Sequence, residues 1–513
     1  MTRRVRIPPP VAVAVYTVFA VYVHNADQVS FAEAGRALGV AAVIGAVLYG
    51  FCRLVFGSTE KADVLASALV LVFFCHGHAV NLFTTWFGRW ASEVPTVLEV
   101  LGFLGLMAWV VRRRLGVATF AKGITSVFAG LFLVASLMLL GGEVTRSGFG
   151  NRRDASTGKA GGRMPDIYYL ILDGYGREDT LREYVGFDNA PFLQELRRRG
   201  FFIGKQSRSN YGQTLLSLAS SLNLELLDPT LGASKKQPDF GVATRMVKRN
   251  EVMSYLHDRN YEIVAIPSGF QGTDPMPQVD ATWCRRKGTL SEFERMIFDL
   301  TVLARLAPAS VVSDSYDRHR ETILTAFECL RTSVAHASTR PSFVFTHVVA
   351  PHPPFVFDET GASAPHVGPF NQLDGKPFYG RRAAYQKGYG AQLRFLNTQV
   401  LKAIDGILSD SAADNRPIIL IQGDHGPASH YDPKGLDPDY VRERMAVLNA
   451  WYVPPGVELP LYDSVTPVNA FRLIFNALFD AGLPLAEDRS YYSTYDLPYA
   501  FREVDEDGNE VMR

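Results

Sequence analysis

Five long apolar runs lie in the first 141 residues, and they constrain the fold of this chain more than any other feature. The runs cover approximately residues 10–23, 38–56, 62–80, 94–111 and 124–140. Most of them approach the ~20 residues that a helix needs to cross a bilayer. A cleaved signal peptide could explain the first run but not the four that follow. We therefore predict an all-α domain of five transmembrane helices over residues 1–141.

The basic residues around these runs predict the orientation of this domain. Arginines at residues 3–6 precede the first run, and an arginine triplet at 112–114 follows the fourth. The alternate loops, 24–37 and 81–93, carry little basic charge. Because basic loops stay in the cytoplasm, five spans place everything after Leu140 outside it. We expect a multi-pass protein of the inner (plasma) membrane.

Two features of the sequence remain open. His76 and His78 lie inside the third run, where ionisable residues at membrane depth suggest a function. Placement at a helix end near the interface explains them equally well, so they receive no role. Cys284 and Cys329 could pair in an oxidising compartment, although the sequence does not show that they do.

Residues 165–513 alternate short apolar runs with helical patterns. The runs that predict strands are 167–172, 201–203, 261–266, 342–349, 418–421 and 447–453. This alternation predicts a doubly wound α/β sheet with helices on both faces. We expect it to form an extracytoplasmic catalytic domain. Residues 142–164 are rich in Gly, Ser, Arg and Lys, so they predict a linker or a membrane-surface segment.

Polar residues follow two of the predicted strands. Asp424 and His425 follow the run 418–421 after Gln422 and lie between two glycines. Ligands of open α/β sheets bind outside the carboxyl ends of the strands, and these are an oxygen and a nitrogen donor at that end. By themselves they fit an ordinary turn with an incidental histidine. A second acid, Asp173, follows the run 167–172 in the same way and favours a metal site.

A hydroxyl and an imidazole are the next candidates. Thr214 begins an apolar helical pattern, where free N–H groups and the helix dipole favour an anion. Threonine is also an ordinary N-cap residue, so a capping role stays open. His352 lies between prolines, which hold it with little freedom, as substrate binding requires. His347 is better explained as a structural histidine satisfied by the backbone.

Four features follow one another along the chain: an acid at a strand end (Asp173), a hydroxyl at a helix start (Thr214), a His-Pro loop (His352) and an Asp-His pair at a second strand end (Asp424 and His425). This pattern resembles the alkaline phosphatase/sulfatase superfamily over residues 165–481. The likeness is strongest to membrane-anchored members such as lipoteichoic acid synthase and the lipid A phosphoethanolamine transferases. It implies a metal-dependent, sulfatase-like phosphotransferase or hydrolase acting on phosphoester head groups of lipids or envelope glycans.

The resemblance also implies roles for individual residues. Asp173, Asp424 and His425 would bind one divalent metal ion, zinc or manganese. Thr214 would be the nucleophile and would also touch the metal. The expected substrate-binding residues are His352, Asn210 and His430.

The sequence departs from the family pattern in two places. Asp173 stands where the transferases usually have glutamate, and the second ligand set of two-metal phosphatases is not evident, so one metal ion is expected. Thr214 lacks the Cys/Ser-x-Pro-x-Arg motif of sulfatases. A sulfate-ester hydrolase and a catalytically silent membrane module remain alternatives. Lys plus Arg and Asp plus Glu number 52 each, which predicts no nucleic-acid partner. The oligomeric state is not predicted.

Overall fold

The structure is a computed structural model. It describes residues 7–24, 31–87, 93–112, 123, 127–128, 130–131, 164–227, 240–274, 276–284, 292–306, 315–333, 339–365, 370–411, 416–435 and 437–512. The chain divides into two compact units. The first comprises Met1–Asp154 and Lys287–Ser313, and the second comprises Ala155–Arg286 and Asp314–Arg513.

Apolar helices form the first unit. They are α1 (Pro9–His24), α2 (Phe31–Phe56), α3 (Thr59–Phe87) and α4 (Val94–Arg112). Stretches of α2, α3 and α4 are long and apolar enough to cross a membrane, whereas α1, with 16 residues, is shorter than a span requires. The predicted fifth span at 124–140 lies almost wholly outside the described residues. The structure thus supports three of the five predicted spans.

The first unit also contains a stretch from much later in the chain. Its helices are Glu292–Leu300 and Leu303–Leu306. Phe293 and Ile297 are buried in an apolar cluster with residues of α1, α2 and α3, and Glu294 forms an ion pair with Arg36 of α2. This part of the predicted outer domain therefore packs with the apolar helices.

His76 lies within α3 rather than at its end. It is buried, and its Nδ1 is 2.7 Å from Glu99 Oε2 on α4. The cysteine pairing that the sequence left open is present in the second unit, where a disulfide joins Cys284 and Cys329.

A seven-stranded sheet organises the second unit. Its strands are β1 (Ile167–Leu172), β2 (Phe202–Ile203), β3 (Glu262–Ile266), β4 (Ala281–Thr282), β5 (Ser342–Val348), β6 (Ile418–Gln422) and β7 (Asn449–Tyr452). They lie in the order β2-β7-β6-β1-β5-β3-β4. The strands β6, β1, β5, β3 and β4 are parallel, and β7 is antiparallel to both of its neighbours. A separate hairpin follows, made of β8 (Ser490–Thr494) and β9 (Leu497–Val504). All six predicted strands are present, while β4 and the hairpin were not predicted.

Helices cover both faces of this sheet. Alternate side chains of β1 enter two different apolar cores: Tyr168 and Leu170 enter one, and Tyr169 and Ile171 enter the other. The helices Ala190–Arg198, Ser315–Arg331, Arg382–Asp410 and Pro438–Met445 contribute to the first core. The helices Thr214–Leu222, Gly241–Lys248, Glu251–His257 and Pro467–Phe479 contribute to the second. Three short turns complete the unit: Glu178–Thr180, the π-helix Leu181–Val185 and the 3-10 helix Lys376–Phe378. The result is a mixed α/β sheet with flanking helices.

Candidate metal centre

Three central strands bring the predicted ligands to one edge of the sheet. The strands β6, β1 and β5 are parallel neighbours, and Ile171 lies opposite both His347 and Gln422. Asp173 follows β1 and Asp424 follows β6, so both carboxylates emerge at the same carboxyl end. The backbone N–H of Gly174 donates to Asp424 Oδ1 at 2.9 Å and links the two strand ends.

Four donor atoms converge at this edge. His425 Nε2 lies 3.4 Å from Asp173 Oδ1, 3.3 Å from Asp424 Oδ2 and 3.1 Å from Thr214 Oγ1. Both carboxylate oxygens are buried and have no hydrogen-bond partner among the residues that the structure describes. His425 Nδ1 lies 3.0 Å from the carbonyl of Gly426, which can only accept, so Nδ1 carries the proton and Nε2 presents a lone pair. Buried lone pairs and negative charges facing one another fit a bound cation.

Thr214 does not cap its helix. It is the first residue of the helix Thr214–Leu222, whose N-cap is Gln213, and its hydroxyl instead contacts His425. The other hydroxyls of this helix have different partners: Ser217 contacts Ser209 Oγ at 3.1 Å. Within this fully described helix, Thr214 is thus the hydroxyl that reaches the centre.

Local charges favour the protonation states that a metal requires. Burial alone would raise the pKa of Asp173, but the charge of His352 and the hydrogen bond from His347 bring that pKa well below its usual value. Burial and the charge of Arg444 lower the pKa of His425. Asp173 is therefore a carboxylate and His425 a neutral imidazole, which are the ligand forms.

His347 belongs to the centre, contrary to the structural role expected for it. Its Nε2 lies 3.2 Å from Asp173 Oδ2, and its Nδ1 lies 3.1 Å from Thr273 Oγ1, so side chains rather than the backbone satisfy it. One ring nitrogen of His347 and single oxygens of Asp173 and Asp424 lie within 4.8 Å of one another. The available signal was a histidine in an otherwise apolar strand, close to its carboxyl end.

Asp374 and Arg444 were missed by the sequence analysis. Arg444 is 1% exposed and forms an ion pair with Asp374. Its Nη2 lies 3.1 Å from His425 Nε2. Neither residue follows a strand, and the helix Pro438–Met445 has an ordinary charged pattern. No local signal pointed to either residue.

Of the three predicted substrate-binding residues, His352 lies beside the centre. Its ring centroid is 6.1 Å from that of His425, and its Nε2 is 3.8 Å from Asp374 Oδ2. Its Nδ1 donates to the carbonyl of Pro353. The side chain is thereby oriented with Nε2 toward the centre.

Asn210 and His430 have other partners. The Asn210 amide donates to Arg489 O at 2.8 Å and accepts from Val468 N at 2.9 Å. Both ends of the Asn210 amide are therefore hydrogen-bonded to backbone groups. His430 Nδ1 lies 3.4 Å from Glu443 Oε2, and its ring packs edge-on against Tyr184.

The two glycines around Asp424 and His425 are required by close backbone approach. A Cβ at Gly423 would lie 2.3 Å from Tyr175 O, and one at Gly426 would lie 2.0 Å from Glu443 O. Both distances are shorter than any normal contact. Neighbouring backbone therefore packs directly against the turn that carries Asp424 and His425.

No protein-family model matches this sequence. No curated protein matches it either. The chain is similar to solved structures of phosphoethanolamine transferases and of the alkaline phosphatase superfamily. Lipooligosaccharide phosphoethanolamine transferase A of Neisseria meningitidis, an integral membrane protein, is 13% identical, with 96% of this chain and 98% of that chain covered and a TM-score of 0.41.

Two further structures show the same degree of similarity. The C-terminal periplasmic domain of EcEptC from Escherichia coli, in complex with zinc, is 13% identical, covers 70% of this chain and 100% of its own, and has a TM-score of 0.42. A protein in the alkaline phosphatase superfamily from Vibrio parahaemolyticus is 14% identical, with coverages of 67% and 76% and a TM-score of 0.39. Similarity at this level carries no argument about activity, so the function has to be inferred from the centre itself.

Proposed function

We propose that this protein is a membrane-anchored, metal-dependent phosphotransferase or hydrolase with Thr214 as its nucleophile. Its substrates are phosphoester head groups of lipids or envelope glycans. The observation that carries this proposal is the convergence of Asp173 Oδ1, Asp424 Oδ2 and Thr214 Oγ1 within 3.4 Å of His425 Nε2. A hydroxyl placed among unpaired metal-binding atoms is an arrangement that activates a nucleophile.

Asp173, Asp424 and His425 would hold one divalent ion, and Thr214 would complete the donor set. Oxygen and nitrogen donors of this kind suit zinc or manganese. When bound, such an ion offsets the carboxylate charges, polarises a phosphoryl oxygen and lowers the pKa of the hydroxyl that it touches. His347 contacts the other carboxylate oxygen of Asp173, Oδ2, and so fixes the orientation of this carboxylate, as partners of ligating carboxylates commonly do.

The reaction then proceeds by two displacements. Thr214 Oγ1 gives up its proton and forms a bond to phosphorus, while the bond between phosphorus and the leaving oxygen breaks and that oxygen takes up a proton. The N-terminal end of the helix Thr214–Leu222 favours the negative charge that develops on Thr214 Oγ1 when it loses its proton. Water or an acceptor hydroxyl subsequently attacks the phosphothreonine and regenerates the free hydroxyl. Attack by water makes the protein a hydrolase, and attack by an acceptor makes it a transferase.

The location of the protein limits its substrates. The apolar helices α2, α3 and α4 support insertion in a membrane. Together with the further spans predicted at 10–23 and 124–140, the basic residues at 3–6 and 112–114 favour an inner-membrane protein with its catalytic unit outside the cytoplasm. An enzyme held there acts on phosphoesters at the membrane surface or in the envelope.

The test uses the full-length protein purified in detergent and a chromogenic phosphodiester, bis(p-nitrophenyl) phosphate. We expect turnover to be lost on chelation and restored by zinc or manganese. An aryl sulfate assayed in parallel is expected to react much more slowly. Turnover that persists in metal-free protein, or sulfate release faster than phosphodiester cleavage, would refute the proposal. Mass spectrometry of lipids and envelope glycans with and without the protein then identifies donor and acceptor.

A further inference from the structure

Arg444 is a rigidly held cation beside the metal centre. Its Nε donates to Gly212 O at 2.8 Å and its Nη1 to Gly426 O at 2.8 Å. Nη1 also forms the ion pair with Asp374, which in turn accepts a hydrogen bond from the Tyr385 hydroxyl at 3.1 Å. With the side chain almost fully buried, these contacts leave the guanidinium little freedom.

The remaining nitrogen, Nη2, faces the centre. It lies 3.1 Å from His425 Nε2 and 3.4 Å from the hydroxyl of Tyr495, a half-exposed residue in the turn of the β8–β9 hairpin. Because His425 Nδ1 donates to Gly426 O, Nε2 has a single lone pair. That lone pair can accept a hydrogen bond from Arg444 or coordinate a metal ion, but it cannot do both at once.

Metal binding at His425 therefore takes one acceptor from Nη2 and leaves it the Tyr495 hydroxyl at 3.4 Å. An N–H group of a buried cation that has lost its acceptor is costly, so the metal-bound protein gains from any anionic oxygen that reaches Nη2. Thr214 Oγ1 and Arg444 Nη2 each lie 3.1 Å from His425 Nε2, so the two atoms are separated by no more than twice that distance. A phosphoryl group on Thr214 is large enough to extend an oxygen across this separation toward the guanidinium, which bonds strongly to phosphate.

We propose that Arg444, positioned by Asp374, binds a non-bridging oxygen of the phosphoryl group and so couples anion binding to metal binding. This inference rests on the proposed function and assigns the residue that recognises the transferred group. The coupling is reciprocal: bound phosphate raises the affinity for the metal ion, and the bound metal ion raises the affinity for phosphate by the same factor.

The experiment measures zinc affinity of the full-length protein in detergent, with and without inorganic phosphate, by calorimetry. We expect phosphate to tighten zinc binding roughly tenfold in the unaltered protein. In Arg444→Gln the coupling should fall to within about twofold, while one zinc per chain still binds. Arg442→Gln is the matched control, because Arg442 lies on the same helix but contacts Glu183 and Tyr184. The control should keep the full coupling.

A second variant covers the case in which Arg444→Gln does not fold. Arg444→Lys retains a charge that can pair with Asp374 but has no second nitrogen to reach the centre, so it should lose the coupling as well. Unchanged coupling in either folded variant would overturn the assignment of Arg444 and leave the proposed function intact. An unaltered protein that binds neither zinc nor manganese would overturn both.

Discussion

Replacing Thr214 with alanine should abolish the reaction without unfolding the protein. The N-cap position of its helix belongs to Gln213, and the Thr214 hydroxyl bonds to His425 instead of the helix backbone. The variant loses this one partly buried hydrogen bond, which costs ~1 kcal/mol in the free energy of unfolding. We expect Asp173, Asp424 and His425 to hold the metal ion in this variant as well.

Turnover should respond quite differently from stability. We expect a fall of at least ~10³-fold, because removing a nucleophile eliminates the covalent route. Ser217 and Ser220 do not replace it, since their hydroxyls bond to Ser209 and to the Glu225 carbonyl. Thr214→Ser should keep part of the activity, because it retains a hydroxyl at the same position.

The assay compares phosphodiester turnover, metal content and thermal unfolding for Thr214→Ala, Thr214→Ser and the unaltered protein. Ser217→Ala is the matched control, since it removes a neighbouring hydroxyl of the same helix that does not reach the centre. Near-normal turnover in Thr214→Ala, or a phosphorylated residue trapped from substrate at Ser217, would refute the assignment of the nucleophile.

Three other predictions follow from the structure. Burial and the charge of Arg444 lower the pKa of His425, so protons compete with the metal only below the ordinary histidine value of about 6.5; metal content after dialysis at stepwise lower pH checks this, and release beginning above pH 6.5 would be inconsistent with it. Burial and the charge of His352 lower the pKa of His319 to about 4. The unfolded chain therefore binds a proton between pH 6.5 and pH 4 that the folded protein does not, and stability falls as the pH drops through this window, by about 3 kcal/mol. Urea unfolding should show a weaker pH dependence for His319→Phe than for the unaltered protein, and an identical dependence would count against the prediction. A fluorescent reporter that is active only in the cytoplasm should give no signal when it is fused after Arg513. A strong signal would overturn the predicted orientation.

The central sheet was predictable because its strands are buried on both faces. Such strands are continuous apolar runs, as in β1 and β6, and they stand out against the intervening helices. The edge strand β4 has two residues and no pattern of its own. The hairpin β8–β9 mixes serines, tyrosines and charged residues, so neither alternation nor a turn motif marks it.

The centre was predictable to the extent that its residues follow strands. Asp173 and Asp424 leave neighbouring parallel strands at the same end, which is a local property of the sequence. Asp374 and Arg444 reach the centre from a loop and a helix 70 residues apart, and only the folded chain brings them together. The first apolar run illustrates a third case: it is helical, but too short by itself to be a span.

The most direct measurement of the central claim is the metal content of the purified full-length protein after reloading with zinc or manganese. Four converging donor atoms predict one ion per chain in the unaltered protein and none in Asp424→Asn. Asp405→Asn, which alters an exposed carboxylate paired with Arg199, should retain the ion. An unaltered protein without stoichiometric metal, or an Asp424→Asn variant that binds it normally, would contradict the account.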